Sequence, residues 1–203
     1  MENEMSYIYN NSEDEIQEGG ISYIVIPQMP KLTLIFGPDL TREEIIQFKA
    51  EMLEVAKRIK ASPIRNFSEA LIGDVYVGTS RFFDEEFNFR NALIVQALYK
   101  PETKKIYYYT DGGKEPSSVA SIIHEFAHKY HDLFLKNGFE NEKIIELYNL
   151  TKSGYYSFPT RYSAEKQEEF FAVTVTLITL GLVKHNQLAL AEKIIEIIEK
   201  ESI

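Results

Sequence analysis

The sequence predicts a single α+β domain, a mixed sheet packed against one long histidine-bearing helix with a helical C-terminal part. Three observations predict it. Short β-branched and aromatic runs, punctuated by Gly and Pro, dominate the chain up to about residue 110. A strongly periodic helical pattern follows, carrying closely spaced histidines. Two further helical patterns then complete the chain, so strands come early and helices late. A length of 203 residues suits one domain with an ordinary core.

The elements follow in order. Residues 1–20 are rich in Asn, Ser, Glu and Asp and end in Gly19 and Gly20, which reads as a mobile N-terminal arm before a domain spanning 21–203. Ile21–Ile26 is a β-branched run stopped by Pro27, and Lys31–Phe36 is a second strand ended by Gly37 and Pro38. Thr41 can cap a helix with Glu43 and Glu44 in its first turn and Ile45, Phe48, Met52, Val55 and Ile59 on one face. Leu71–Val77 reads as a strand. Leu93–Tyr99 and Lys105–Thr110 flank a Lys-Pro-Glu-Thr-Lys turn and predict a hairpin, which Asp111, Gly112 and Gly113 close. Ser117 or Ser118 caps a helix over 119–136 that stops at Asn137 and Gly138. A polar stretch with Gly154, Pro159 and several tyrosines leads to a helix from about Ala164 to Gly181, and a last amphipathic helix covers 186–199.

Composition narrows the function classes. A net charge of −9 and few clustered Lys or Arg argue against nucleic acid as a partner. The absence of cysteine excludes disulfides and thiolate metal sites. No stretch reaches the roughly 20 apolar residues of a membrane span. The acidic start, Met1 to Met5, is not a signal peptide, which fits a cytoplasmic protein, one whose signal has been removed, or one secreted by a leaderless route. The sequence carries no signature of a particular oligomeric state.

Three of the four histidines, His124, His128 and His131, fall within eight residues. Residues four apart on a helix lie one turn apart on nearly the same face, so His124 and His128 can bind one Zn²⁺ through nitrogen. Glu125 projects about 100° away from His124, where it can reach a water on the metal and act as general base. His-Glu-x-x-His has this physical content. His131 faces a similar direction but lies about 10 Å further along the axis, so it reads as a surface group or one behind the ligands. Phe134 stands where the longer form of the motif would place a third histidine.

A third ligand must then come from elsewhere. Glu165, Glu168 and Glu169 crowd the start of a later helix, where the helix dipole alone favours acidic residues. Glu169 opens the apolar run Phe170-Phe171-Ala172-Val173, and a carboxylate at that boundary is costly unless paired or metal-bound.

His124-Glu125-Phe126-Ala127-His128 together with Glu168-Glu169-Phe170-Phe171-Ala172 resembles the zinc metalloprotease family that includes the catalytic domain of anthrax lethal factor and the Pro-Pro endopeptidases. The resemblance covers roughly residues 90–182. It implies a small zincin-like metalloprotease fold, one Zn²⁺ per chain, Glu169 as third ligand, and Tyr162, seven residues before it, as the group that stabilises the transition state. Val173 stands where related sequences often carry an acidic residue, which implies altered tuning of the site. The resemblance also implies a peptide or protein substrate bound in extended form along the Leu93–Tyr109 hairpin. Tyr107, Tyr108 and Tyr109 either line side-chain pockets there or form a strand face of the core. The expected function is thus zinc-dependent endopeptidase, with a catalytically silent zincin-fold module that binds a protein partner as the alternative.

Overall fold

The structure, a computed structural model, describes residues 15–18, 20–87, 96–111 and 118–203. It is an α+β fold with a six-stranded mixed sheet. The strands are β1 (Glu15–Glu18), β2 (Ile21–Val25), β3 (Leu32–Phe36), β4 (Gly73–Gly78), β5 (Ala97–Lys100) and β6 (Lys105–Tyr109), in the spatial order β1-β2-β3-β4-β6-β5. The pairs β3–β4 and β4–β6 are parallel, and the others are antiparallel. The helices are α1 (Arg42–Ala61), α2 (Ser80–Phe87), α3 (Ser118–Phe134), α4 (Glu142–Lys152), α5 (Gln167–Leu180) and α6 (Leu188–Glu201).

Side-chain alternation along the strands splits the core into two layers. Leu34, Phe36, Val75, Val77, Ile106, Tyr108, Ala97 and Tyr99 face a large core shared with α1, α3, α5 and α6. Tyr107 and Tyr109 face the other side, where Phe82 and Phe83 of α2 cover them. The three consecutive tyrosines are therefore core on both faces of β6. At 7% exposure or less, none lines a pocket.

Helix α1 starts as the sequence requires. The Thr41 hydroxyl accepts from Glu44 N–H, and the Glu44 carboxylate takes the Thr41 N–H in return. Helix α3 buries Ile122, Ile123, Phe126, Ala127 and Tyr130 completely, lies against β5 and β6, and packs on α5. Helix α5 is apolar nearly all round, from Phe170 to Ile178, because it runs through the middle of the helical layer. Gly181 ends it with φ +68, a left-handed value that glycine adopts without strain. Lys129 is a polar exception inside the core. Its ammonium donates to the Ile72 carbonyl, tying α3 to the start of β4, and burial pushes its pKa down to about 8.

The structure departs from the sequence reading in several places. Glu15–Glu18, assigned to the arm, is a strand paired with β2. Gly20 lies in a turn with φ +83, and the register Glu18↔Ile21 leaves only two residues between the strands. Helix α4 replaces the polar stretch after α3. It is short, with only a narrow apolar stripe of Ile144, Leu147 and Tyr148, so its polar face dominates the local composition. Helix α2 also goes unpredicted, and α5 begins three residues later than expected because residues 162–164 form a separate 3₁₀ turn. Of the two places expected for His131, the surface is excluded: it is fully buried between Phe139 and Phe171. Residues 1–14 and 19 of the arm, 93–95 of the hairpin, and Gly112, Gly113 and Ser117 lie outside the described residues.

Candidate metal centre

Helices α3 and α5 cross with their polar notches facing each other. The α3 notch is formed by His124 and His128, one turn apart. The α5 notch is Glu169 in its first turn, where the N-terminal dipole favours a carboxylate. His124 Nε2 and His128 Nε2 are 3.0 Å apart. Glu169 Oε2 is 3.0 Å from His124 Nε2 and 3.3 Å from His128 Nε2. Among the described residues this is the group of three whose ligand atoms could hold a metal ion.

The donor set and its size fit zinc. Ligands placed tetrahedrally about 2.05 Å from Zn²⁺ stand about 3.3 Å from one another, close to the observed triangle. With both imidazoles neutral and Nε2 unprotonated, two ring nitrogens and a carboxylate oxygen can offer three lone pairs to one cation. The same contacts set proton affinities with which a cation would compete. Burial opposes charge on His128, but the Glu169 hydrogen bond and the nearby glutamates outweigh it and hold its pKa above the ordinary value. Burial likewise opposes charge on Glu169, yet hydrogen bonds from both histidines hold its carboxyl well below the usual carboxylate range.

Glu125 stands beside the triangle, 8% exposed, on the same helix as the two histidines. Its charge acts on both His128 and Tyr162. One of its oxygens, Oε2, accepts the Tyr99 main-chain N–H at 2.6 Å. Tyr162 enters from the 3₁₀ turn before α5, half-exposed, with its ring centroid 6.2 Å from that of His124. Burial, followed by the charge and hydrogen bond of Glu169, pushes its phenol pKa up. The turn is pinned by reciprocal bonds between Thr160 and Ser163, by Tyr148 donating to the Ala164 carbonyl, and by Gln187 donating to the Pro159 carbonyl.

The structure thus brings together all five residues singled out from the sequence: His124, Glu125, His128, Tyr162 and Glu169. Glu165 and Glu168 do not belong to the triangle. Val173 lies one turn beyond Glu169 on α5 and is buried. Two contacts were not legible in the sequence. Phe139 packs edge-on against His128 and His131, and Tyr99 reaches Glu125 through its main chain. A backbone N–H carries no residue-specific signal, so no sequence pattern could have found the second.

Comparison with known proteins gives no matching family model and no matching curated protein. No helix among the described residues is long and apolar enough to cross a membrane.

Proposed function

We propose that the chain is a zinc-dependent endopeptidase with a zincin-like fold, related to the lethal factor and Pro-Pro endopeptidase group. The observation that carries this reading is the triangle of His124, His128 and Glu169 ligand atoms, drawn from two helices, with Glu125 beside it. His124, His128 and Glu169 would hold one Zn²⁺. When bound, the ion supplies a Lewis acid that acidifies water and polarises a peptide carbonyl.

The chain's own residues do the rest. Glu125 takes a proton from the attacking water as its oxygen bonds to the carbonyl carbon. The Tyr162 hydroxyl donates a hydrogen bond to the oxyanion that develops on the carbonyl oxygen. Glu125 then returns the proton to the amide nitrogen as the C–N bond breaks, which leaves a carboxylic acid and an amine; the acid's proton then passes to the amine, giving carboxylate and ammonium. An extended peptide or protein would run along the β5 margin of the sheet, beside the same helix.

Purified protein is expected to hold about one zinc per chain. Glu125→Gln should keep that zinc and lose cleavage of a peptide library by at least about a thousandfold. Cleavage at the wild-type rate by Glu125→Gln would overturn the mechanism. Bound zinc with no cleavage of any peptide would identify a silent binding module instead.

A further inference from the structure

Tyr99 of β5 meets α3 at two points. Its main-chain N–H donates to Glu125 Oε2 at 2.6 Å, and its phenol donates to Asp132 Oδ2 at 2.6 Å. Glu125 and Asp132 are seven residues apart, so they share one face of the helix about 10 Å apart along its axis. One buried tyrosine bridges them. Asp132 Oδ2 also takes a bond from Lys104 Nζ at 2.6 Å, from the turn that joins β5 to β6.

The strand register explains why the Tyr99 amide is available. Tyr109 N–H donates to the Gln96 carbonyl at 2.8 Å, which makes 96 and 109 a hydrogen-bonded pair. Alternation along the antiparallel ladder then makes 98 and 107 the next such pair, and turns the N–H of residue 99 away from β6. Among the described residues, the Tyr99 amide therefore lies on the outer margin of a four-residue strand that is paired on one side only. Its acceptor is a carboxylate on the helix beneath.

We propose that Asp132 is a positioning residue for Glu125. By gripping the Tyr99 phenol it holds β5 against α3, keeps the Tyr99 amide on Glu125 Oε2, and leaves Oε1 for the reacting water. The inference rests on the general-base role of Glu125 given above. A carboxylate anchored through one oxygen is aimed, whereas an unanchored one samples several rotamers, and misplacement by about 1 Å costs about a hundredfold in rate. Burial, and then the bond to Asp132, raise the pKa of the Tyr99 phenol, so it remains a donor across the working pH range.

Amide hydrogen exchange, read residue by residue by NMR on the metal-free full chain, tests the grip without any catalysis. The Tyr99 amide should be protected in the wild type and should exchange at least about tenfold faster in Asp132→Ala and in Tyr99→Phe. The Leu98 amide, bonded to β6, should not change. Glu125→Ala should expose Tyr99 in the same way, and Asp132→Asn, whose carbonyl still accepts the phenol, should keep most of the protection. On zinc-loaded protein with a fluorogenic peptide chosen from the library, Asp132→Ala should lower kcat by about tenfold to a hundredfold, with KM and zinc content little changed. Asp132→Asn should recover most of that loss.

An unchanged Tyr99 exchange rate in Asp132→Ala would overturn the proposal. So would equal loss of protection at Leu98 and Tyr99, since Asp132 would then only hold the strand together. If Tyr99→Phe does not fold, the Ala and Asn variants of Asp132 decide. If the wild type cleaves no peptide, the protease reading fails alone and the exchange experiment still decides the grip.

Discussion

At the scale of single residues, the most unusual group is His131. Its two ring nitrogens are buried with no hydrogen-bond partner among the described residues, and its ring lies 4.3 Å from that of Phe171. Burial, with a smaller contribution from His128, pushes its pKa down to about 3. The unfolded chain binds the proton at about 6.5. A histidine depressed in this way adds stability that is present above pH 6.5 and is lost as pH falls toward 3. At pH 4 the loss should be up to about 3 kcal/mol. Urea unfolding between pH 8 and pH 4 should therefore show a shallower acid decline for His131→Phe than for the wild type. Parallel declines would show that His131 does not carry this dependence. The sequence could place His131 off the metal, because its axial offset is a matter of helix geometry. Its burial depends on Phe139, from the turn after α3, and on Phe171 of α5, neither of which helix periodicity places.

At the scale of elements, local signals were legible where capping and periodicity agreed. Thr41 and Glu44 announced α1, and the apolar stripe of α3 fixed both the helix and the burial of its histidine face. The local signal for α4 is Asn141. That side chain accepts from the Lys143 and Ile144 N–H groups and donates to the Lys136 carbonyl, so it closes the end of one segment and opens the next. It is 1% exposed. Asn141→Ala should cost about 1–2 kcal/mol, read as a lower urea midpoint with unchanged slope. Since α4 packs on α5, the loss should also reach the element that carries Glu169. The β1–β2 hairpin was missed for a different reason. Two glycines in a row fit a tail as well as a tight turn, and only strand pairing separates the two.

At the scale of the whole molecule, the sheet and helical layers were readable as a class, while strand order was not. Placing β6 between β4 and β5 depends on long-range pairing, which periodicity does not encode. The candidate site also joins distant parts of the fold, because its three ligand atoms tie α3 to α5. An ion bound there should stabilise the whole domain. At a hundredfold excess over its Kd the gain is about 3 kcal/mol, or roughly 6–10 °C in Tm for a chain of this size. Scanning calorimetry with and without chelator should show that shift in the wild type and none in Glu169→Ala. Equal Tm values in the wild type would mean that the triangle holds no metal.

The lateral margins of the sheet have a further consequence for behaviour at high concentration. A bare strand margin is a template onto which another copy can add, and chains that stack in this way precipitate. On one side the outermost described strand is β1, four residues long, which leaves a short template. On the other, a main-chain donor of β5 is already occupied by the Glu125 carboxylate. A second copy adding along the whole of β5 would have to break that bond, whereas a short substrate segment need pair only beyond Tyr99.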